Sequence, residues 1–150
     1  RPNDVLLGER KVAGILIETE SGLQSQPGAP LEWMVLGLGV NVQHYPEDTE
    51  FPATSLRFEG ADDVTVEAVL GRFALYFLDW ANRWMDEGFA PVRAEWKERG
   101  LGMGRKIRVR LPRETLRGKF IDLDADGALL LDPEKGGGVR RITAGDVFFA

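Results

Sequence analysis

The sequence predicts a mixed α/β (α+β) unit followed by a small β-barrel. Two apolar runs flank a Gly-centred turn near the start, and apolar residues recur at helical spacing between positions 66 and 84. After Gly104 the pattern changes to an alternation with period two. A chain of 150 residues can bury a sizeable core as one domain or as two small ones. We place the boundary between Met103 and Gly104, which predicts units 1–103 and 104–150.

The distribution of charge supports this division. The net charge is -5, but residues 1–103 contain nine Lys and Arg against seventeen Asp and Glu, a net charge of -8. From Gly104 onward there are ten against seven, a net charge of +3. Such an asymmetry is typical of two separate units. The basic excess is small and few aromatic residues accompany it, so nucleic-acid binding is not indicated.

The composition also limits the class of protein. No apolar run approaches the roughly eighteen residues that a membrane-spanning helix needs, and no signal peptide opens the sequence. The absence of cysteine excludes disulfides, thiolate metal sites and a thiol nucleophile. These features predict a cytoplasmic location. The lone histidine, His44, has no partner residues at metal-ligand spacing and is assigned no role.

The chain begins with a predicted hairpin. The β-prone runs Val5–Leu7 and Ile15–Ile17 lie on either side of the polar turn Gly8–Arg10. Such a turn between two β-prone runs is typical of two antiparallel strands.

This hairpin also holds the first candidate site. Lys11 lies at the start of the second strand, and Gly14 leaves room for another group to approach the backbone. Asn3 and Asp4 lie at the start of the first strand. A lysine beside these two residues indicates a site for an anionic ligand.

The middle of the chain contains a loop and a strand. Ser21–Pro30 is rich in Gly, Pro, Ser and Gln without periodicity, which predicts a surface loop. Trp33–Val42 is a nearly continuous apolar run, which predicts a strand buried on both faces, and Gly37 and Gly39 would let a backbone or a flat ligand come close. Asn41 is the lone polar residue of this run. It either ties down a neighbouring strand, which the residues alone favour, or hydrogen-bonds the edge of a ligand.

Three helices are predicted next. Thr54 or Ser55 is suited to cap a short helix. A long amphipathic helix follows Thr65 and ends at Gly88, and its apolar stripe is expected to cover a sheet as part of the core. The stripe consists of Val66, Val69, Leu70, Phe73, Phe77, Trp80, Ala81 and Trp84.

The third predicted helix has Pro91 in its first turn and Gly100 as its C-terminal cap. Val92 and Trp96, four residues apart, are expected to pack it against the rest of the chain.

Beyond Gly104 the sequence predicts five short strands. Ile107, Val109 and Leu111 alternate with cationic residues, and a change of phase predicts a bulge near Phe120. Turns are expected at Asp126–Gly127 and at positions 136–138. Five strands in fewer than fifty residues, without a helix, are typical of a small SH3-like barrel.

Four blocks of sequence resemble a known family. Pro2-Asn3-Asp4-Val5 followed by residues 11–18 is similar to the central signature of biotin protein ligases. Blocks at 37–42, 52–56 and 127–131 follow in the family's order and extend the resemblance over most of the chain. The resemblance implies a partial mixed-sheet biotin/lipoyl ligase catalytic fold, similar to class II synthetases, followed by the family's SH3-like barrel.

The resemblance also implies an activity. Biotin would be activated by ATP to biotinyl-5′-AMP and then transferred to a lysine of a biotin carboxyl carrier domain. Lys11 would be the catalytic residue, because its compact ammonium can bridge the biotin carboxyl and the phosphate oxygens. Asp4 would help to hold Mg²⁺. The residues implied to bind biotin or the adenylate are Lys11, Gly14, Ile15, Asn3 and Asn41.

Each of these assignments has a simpler alternative. Lys11 would otherwise be a surface lysine on a hairpin, and Asn3 and Asp4 would serve local turn chemistry. Arg108 and Arg110 are interpreted first as a solvated strand face, and second as contacts to the nucleotide or the carrier protein.

The sequence departs from the family at its start. The glycine- and arginine-rich loop that clamps biotin is absent, as are the first strands and helices of the catalytic fold, and Arg1 stands where the family usually has an aromatic residue. We therefore expect that this chain alone does not complete the biotin site.

Two alternative functions and one partner remain open. The first alternative function is a non-catalytic ligase-like module that binds a carrier protein or a small ligand. The second is lipoate–protein ligation, against which the block at 37–41 and the terminal barrel favour biotin. The strand at 36–42 is a candidate edge for a homodimer.

Overall fold

A two-residue turn at Gly8–Glu9 joins the first two strands, β1 (Asp4–Leu7) and β2 (Arg10–Ser21). Gly8 and Glu9 have φ values of 57° and 63°. Positive φ at both positions is the requirement of a type I′ turn, whose twist matches that of a hairpin. The predicted hairpin is therefore confirmed. The structure, a computed structural model, describes residues 3–21, 31–49 and 51–149. The predicted loop lies outside them except for Ser21.

The chain divides into two units, Asn3–Gly71 and a second unit that begins at Arg72. In the first unit, β3 (Leu31–Val40) pairs antiparallel with β2, giving a sheet in the order β1-β2-β3. Buried side chains gather where this sheet meets the segment at positions 53–56, and they are Val12, Ala13, Val42, Thr54 and Ser55.

The prediction that β3 is buried on both faces is wrong for this chain. Trp33, Met34 and Val35 are all exposed, although they are consecutive and so lie on both faces. Within the described part of Asn3–Gly71 the sheet forms a single layer. An apolar run establishes that a strand is suited to burial, but it does not establish which element covers it.

The long helix α1 (Val66–Glu87) begins and ends where the sequence predicts. The Thr65 hydroxyl accepts a hydrogen bond from the Ala68 N–H (3.2 Å), as an N-cap does, and Gly88 follows the last turn with φ 79°. The prediction that its apolar stripe is core is wrong, since no residue of α1 is buried. Leu70, for example, is 64% exposed. Among the described residues, no helix is long and apolar enough to cross a membrane.

The second helix, α2 (Phe89–Arg99), packs against the strands that follow it. The Trp96 ring lies 6.2 Å from that of Phe120, and Lys97 forms an ion pair with Asp122 (2.8 Å). The Gly100 N–H donates to the Trp96 carbonyl, which closes the helix. The predicted cap and the packing role of Trp96 are confirmed.

The remaining strands form one antiparallel sheet, called the C-terminal sheet below. The strands are β4 (Lys106–Arg110), β5 (Thr115–Leu123), β6 (Leu129–Pro133), β7 (Arg140–Ile142) and β8 (Asp146–Phe149). The sheet has the order β7-β6-β5-β4-β8, and its register shifts between Phe120 and Asp122, where the bulge was expected. Its core consists of Ile107, Val109, Phe120, Leu131 and Ile142.

Two strands of this sheet approach each other closely at Gly118, which is buried opposite Pro133. A Cβ atom added to Gly118 would lie 2.2 Å from the carbonyl oxygen of Asp132. Glycine is therefore required here by the spacing of β5 and β6 rather than by its backbone angles.

The turn between β5 and β6 is organised by the carboxylate of Asp124, and we expect this to make the C-terminal sheet sensitive to acid. Asp124 accepts hydrogen bonds from the N–H groups of Asp126 (2.9 Å) and Ala128 (2.8 Å) and forms an ion pair with Arg141. The hydrogen bond from the Arg141 guanidinium, with smaller help from the two backbone donors, lowers the pKa of Asp124 below its ordinary 3.8. Its contribution to stability is therefore present above pH 3.8 and is lost as the pH falls below that value towards the lowered pKa.

We expect Asp124→Asn to reduce this acid sensitivity. The melting temperature of the wild type should fall more steeply than that of the variant as the pH is lowered from 4 towards 2.5, because only the wild type must protonate the paired carboxylate of Asp124 in addition to the others. Circular dichroism melts over this range measure the difference. Asp132→Asn, at an exposed aspartate of β6, is the control. Equal slopes for wild type and Asp124→Asn would contradict the prediction.

Candidate functional site

The backbone of Lys11 is fixed by hydrogen bonds, whereas its side chain reaches solvent. Its N–H donates to the Pro52 carbonyl and its carbonyl accepts from the Thr54 N–H, both at 2.9 Å. The side chain is 41% exposed, and its ammonium lies 2.7 Å from Oδ1 of Asp4. The sheet therefore fixes the position of Lys11 while its charge lies at an open surface.

Gly14 lies beside the contact between Lys11 and Asp4. The register places Gly14 directly opposite Asp4 on the neighbouring strand. A Cβ atom at Gly14 would lie 3.4 Å from both Cε and Nζ of Lys11 and 4.0 Å from Oδ1 of Asp4, which are ordinary van der Waals distances. The Lys11 side chain therefore lies over Gly14, and the role of Gly14 in admitting a ligand stays a prediction.

Two further residues of the predicted site lie on the same hairpin. Asn3 is exposed, and its carbonyl accepts from the N–H of the half-buried Ile15 (2.9 Å). Five of the six predicted site residues are thus brought together by β1 and β2, and they are Asn3, Asp4, Lys11, Gly14 and Ile15.

Asn41, the sixth predicted site residue, stabilises the backbone around Lys11 and Thr54. Its side-chain amide donates to the carbonyl of Thr54 at 3.0 Å, and a longer contact of 3.5 Å reaches that of Lys11. Its own N–H donates to the Val12 carbonyl (2.8 Å). These contacts are the tie to a neighbouring segment that the residues alone favoured. Contact of Asn41 with a nucleotide stays a prediction.

The sequence did not indicate a polar network beside Lys11, in which Thr54 is buried while Glu59 and Arg10 are partly exposed. Thr54, which is fully buried, donates its hydroxyl to Oε1 of Glu59 (2.5 Å), and the same carboxylate forms an ion pair with Arg10 (2.6 Å). The Arg10 guanidinium also lies 5.2 Å from the centroid of the Phe58 ring. No spacing in the sequence indicates that Glu59 lies near the hairpin, because the contact joins residues 49 positions apart.

The predicted short helix after Thr54 and Ser55 is not found. Residues 56–60 form turns instead. The Ser55 hydroxyl nevertheless accepts from the Phe58 N–H and donates to the Gln43 carbonyl, both at 3.2 Å. The expected capping hydrogen bond is therefore present at Ser55, although no helix follows. Thr54 does not make it, because its hydroxyl donates to Glu59 instead.

The arrangement is suited to binding an anion and poorly suited to holding a metal by itself. A lysine ammonium has three donors, so a contact with Asp4 leaves capacity for further oxygen acceptors. Among the described residues, no group of three His, Cys, Asp or Glu side chains could hold a metal ion. Asp4 offers a single carboxylate that already contacts Lys11. Within residues 3–21, 31–49 and 51–149, the side chains therefore do not form a complete Mg²⁺ site.

We expect Asn41→Ala to destabilise the unit Asn3–Gly71 by about 1–2 kcal/mol, because the carbonyl of the fully buried Thr54 loses its side-chain donor. Urea unfolding followed by circular dichroism measures the change. Asn41→Asp, which keeps the shape but replaces the donor by an acceptor, should be at least as destabilising. A neutral effect of both variants would contradict a tethering role.

Residues 2–98 match the Biotin/lipoate A/B protein ligase family, and residues 102–150 match the Biotin protein ligase C terminal domain. A biotin--[acetyl-CoA-carboxylase] ligase from Paracoccus denitrificans is 36% identical over 153 residues, covering 99% of this chain and 61% of that protein. The bifunctional ligase/repressor BirA of Bacillus subtilis is 30% identical over 152 residues, covering 97% and 44%. The chain spans about half the length of the curated relatives it matches.

Solved structures agree on the fold. The apo structure of biotin protein ligase from Aquifex aeolicus superposes with a TM-score of 0.78 at 23% identity, covering 99% of this chain and 63% of that one. A biotin protein ligase-like protein of unknown function from Silicibacter has a TM-score of 0.73 at 25% identity, covering 93% and 57%. The predicted ligase-like α/β fold with a terminal β-rich unit is thereby confirmed.

Proposed function

Because this chain belongs to the biotin/lipoate A/B protein ligase family, we propose that it provides part of the site for biotin–protein ligation. The observation that carries the proposal is the Lys11 ammonium, held beside Asp4 and Gly14 at an open surface. The match of residues 102–150 to a biotin ligase domain, and relatives named as biotin ligases, favour biotin over lipoate.

The first step brings two anions together. A biotin carboxylate oxygen forms a bond to the α-phosphorus of ATP, and the bond from that phosphorus to the oxygen bridging to the β-phosphorus breaks, releasing pyrophosphate. The Lys11 ammonium reduces the repulsion between carboxylate and phosphate. The backbone hydrogen bonds to Pro52 and Thr54 keep the lysine in position without reorganisation during the reaction.

The second step transfers the acyl group. A neutral lysine amine of a biotin carboxyl carrier domain attacks the acyl carbon, the acyl–phosphate C–O bond breaks, AMP leaves, and the new amide loses one proton. Lys11 is suited to stabilise the leaving phosphate. Mg²⁺, where the reaction uses it, would arrive with the ATP phosphates, and Asp4 is the carboxylate we propose to assist it.

The proposal extends to organisation and partners. The matches at 2–98 and 102–150 support a domain boundary near Gly104. The carrier domain is the proposed protein substrate. The cytoplasm is the proposed location, because the proposed reaction requires ATP and the chain has no cysteine. A homodimer through β3 is supported by the position of that strand at the edge of the described sheet.

Calorimetric titration of biotinyl-5′-AMP into this chain tests the proposal, with lipoyl-5′-AMP as the comparison ligand. Part of a site should give saturable binding with a Kd of about 0.1–1 mM, a binding free energy of about −4 to −5.5 kcal/mol. Tighter binding of the biotinyl than of the lipoyl compound supports biotin ligation. Absence of binding to both would overturn the proposal and favour a non-catalytic module.

A further inference from the structure

The outer face of the C-terminal sheet bears a block of four cationic side chains. Along β4, Ile107 and Val109 point into the core, so Lys106 and Arg108 point outward. The register places Lys106 directly opposite Lys119 and Arg108 directly opposite Arg117 on β5. We call these four residues the cationic block.

Like charges directly opposite each other on neighbouring strands are destabilising, because their Cβ atoms lie only about 5 Å apart. Elsewhere in this sheet arginines have carboxylate partners, as Arg110 does with Asp146 (2.8 Å) and Arg140 with Glu114 (3.0 Å). Within the cationic block, Lys106 pairs with Glu134 (3.0 Å). Among residues 3–21, 31–49 and 51–149, no carboxylate forms a salt bridge with the other three members of the block.

The two arginines also line a surface cleft. Its volume is about 310 Å³, and its lining residues are Lys106, Ile107, Arg108, Arg117, Glu134 and Phe149. The Arg108 guanidinium lies 5.0 Å from the centroid of the Phe148 ring, a cation–π contact that holds it over the sheet. The block is therefore a partly ordered cationic surface, compensated among the described residues at Lys106 alone, with room for an anionic group beside Arg108 and Arg117.

We propose that the cationic block binds an acidic polypeptide segment in extended conformation, with one carboxylate for each of Arg108 and Arg117. The planar guanidinium matches a carboxylate with two parallel hydrogen bonds. Carboxylates two residues apart on an extended segment lie about 6.5–7 Å apart, a distance that two long arginine side chains with Cβ atoms about 5 Å apart can span. This inference does not depend on the proposed ligase activity.

The surroundings of the block favour a short acidic segment over a nucleic acid. Glu134 lies beside Lys106 at one end, Asp146 lies beside Arg110 at the other, and Asp132 faces Lys119 from β6. A continuous phosphate backbone crossing the block would meet these carboxylates, which repel it. Two side-chain carboxylates would contact only Arg108 and Arg117, whose positive charges have no carboxylate partner in the part of the chain that the structure describes.

The test uses the full chain, ¹⁵N-labelled, titrated with the blocked peptide Ala-Glu-Val-Glu-Ala in low salt and followed by NMR. Saturable shifts of the β4 and β5 amides with a Kd of about 1 mM are expected, and 0.5 M salt should weaken them. Arg108→Gln combined with Arg117→Gln should weaken binding at least tenfold. Arg113→Gln, an exposed arginine just after β4, is the matched control and should leave binding unchanged.

Three outcomes would overturn the proposal. The first is equally tight binding of the peptide Ala-Gln-Val-Gln-Ala. The second is tighter binding of an oligothymidylate of eight nucleotides than of the acidic peptide. The third outcome concerns stability without ligand. Relief of like-charge repulsion predicts that Arg108→Gln and Arg117→Gln melt at or above the wild-type temperature. A fall of several degrees would make the arginines structural.

Discussion

Replacing Lys11 by alanine is expected to weaken the binding of biotinyl-5′-AMP about 10- to 100-fold. A hydrogen bond to a charged group contributes about 1.5–3 kcal/mol, and each 1.4 kcal/mol changes Kd about tenfold. Both backbone groups of Lys11 are hydrogen-bonded, so the position of its ammonium is not reproduced by a lysine elsewhere in the chain. The measurement is the calorimetric titration described above, performed on both proteins under the same conditions.

Stability must be separated from binding in this experiment. Removal of Lys11 leaves the Asp4 carboxylate, only 14% exposed, without the ammonium beside it. The combination of Lys11→Ala with Asp4→Asn removes that charge, and it should melt closer to the wild type while binding as weakly as Lys11→Ala. Lys135→Ala, at an exposed lysine in a turn of the other unit, is the control. Full binding by Lys11→Ala would exclude Lys11 from the site.

Gly118→Ala is expected to have the largest effect on stability. The new methyl group would lie 2.2 Å from the Asp132 carbonyl oxygen and 2.9 Å from Cα of Pro133, both of which are backbone atoms that cannot turn aside. Overpacking of this kind costs about 3 kcal/mol, which lowers Tm by roughly 10 °C or more in a unit of this size. Differential scanning calorimetry measures the change.

Gly71→Ala is the matched control for this substitution. It adds the same methyl group inside α1, where no atom lies within 4 Å of the new Cβ. Alanine is the better helix former by about 1 kcal/mol, so this variant should melt at or above the wild-type temperature. An unchanged melting temperature for Gly118→Ala would show that β5 and β6 separate easily, contrary to the structure.

Local patterns predicted the elements of this fold well. The turn at Gly8–Glu9, the ends of α1 and the bulge near Phe120 each depend on residues within a few positions of one another. Lys11 and Asp4 could be predicted as neighbours because a single hairpin brings them together.

Contacts between distant segments could not be predicted in the same way. Glu59 reaches Arg10 and Thr54 because the chain returns to the hairpin after β3, and nothing in its local sequence indicates this. The apolar residues of α1 and β3 show the complementary failure. Their periodicity identifies an apolar face, but burial depends on which element lies against that face.

The contact between Lys11 and Asp4 has a consequence for ligand selection. Asp4 already occupies part of the ammonium's coordination, so it acts as an internal competitor for any incoming ligand. A neutral acceptor gains little from an ammonium that a carboxylate already contacts at 2.7 Å, whereas an anion gains a charge-assisted hydrogen bond from a donor that Asp4 leaves unused. We therefore expect the hairpin to favour anionic ligands over neutral ones.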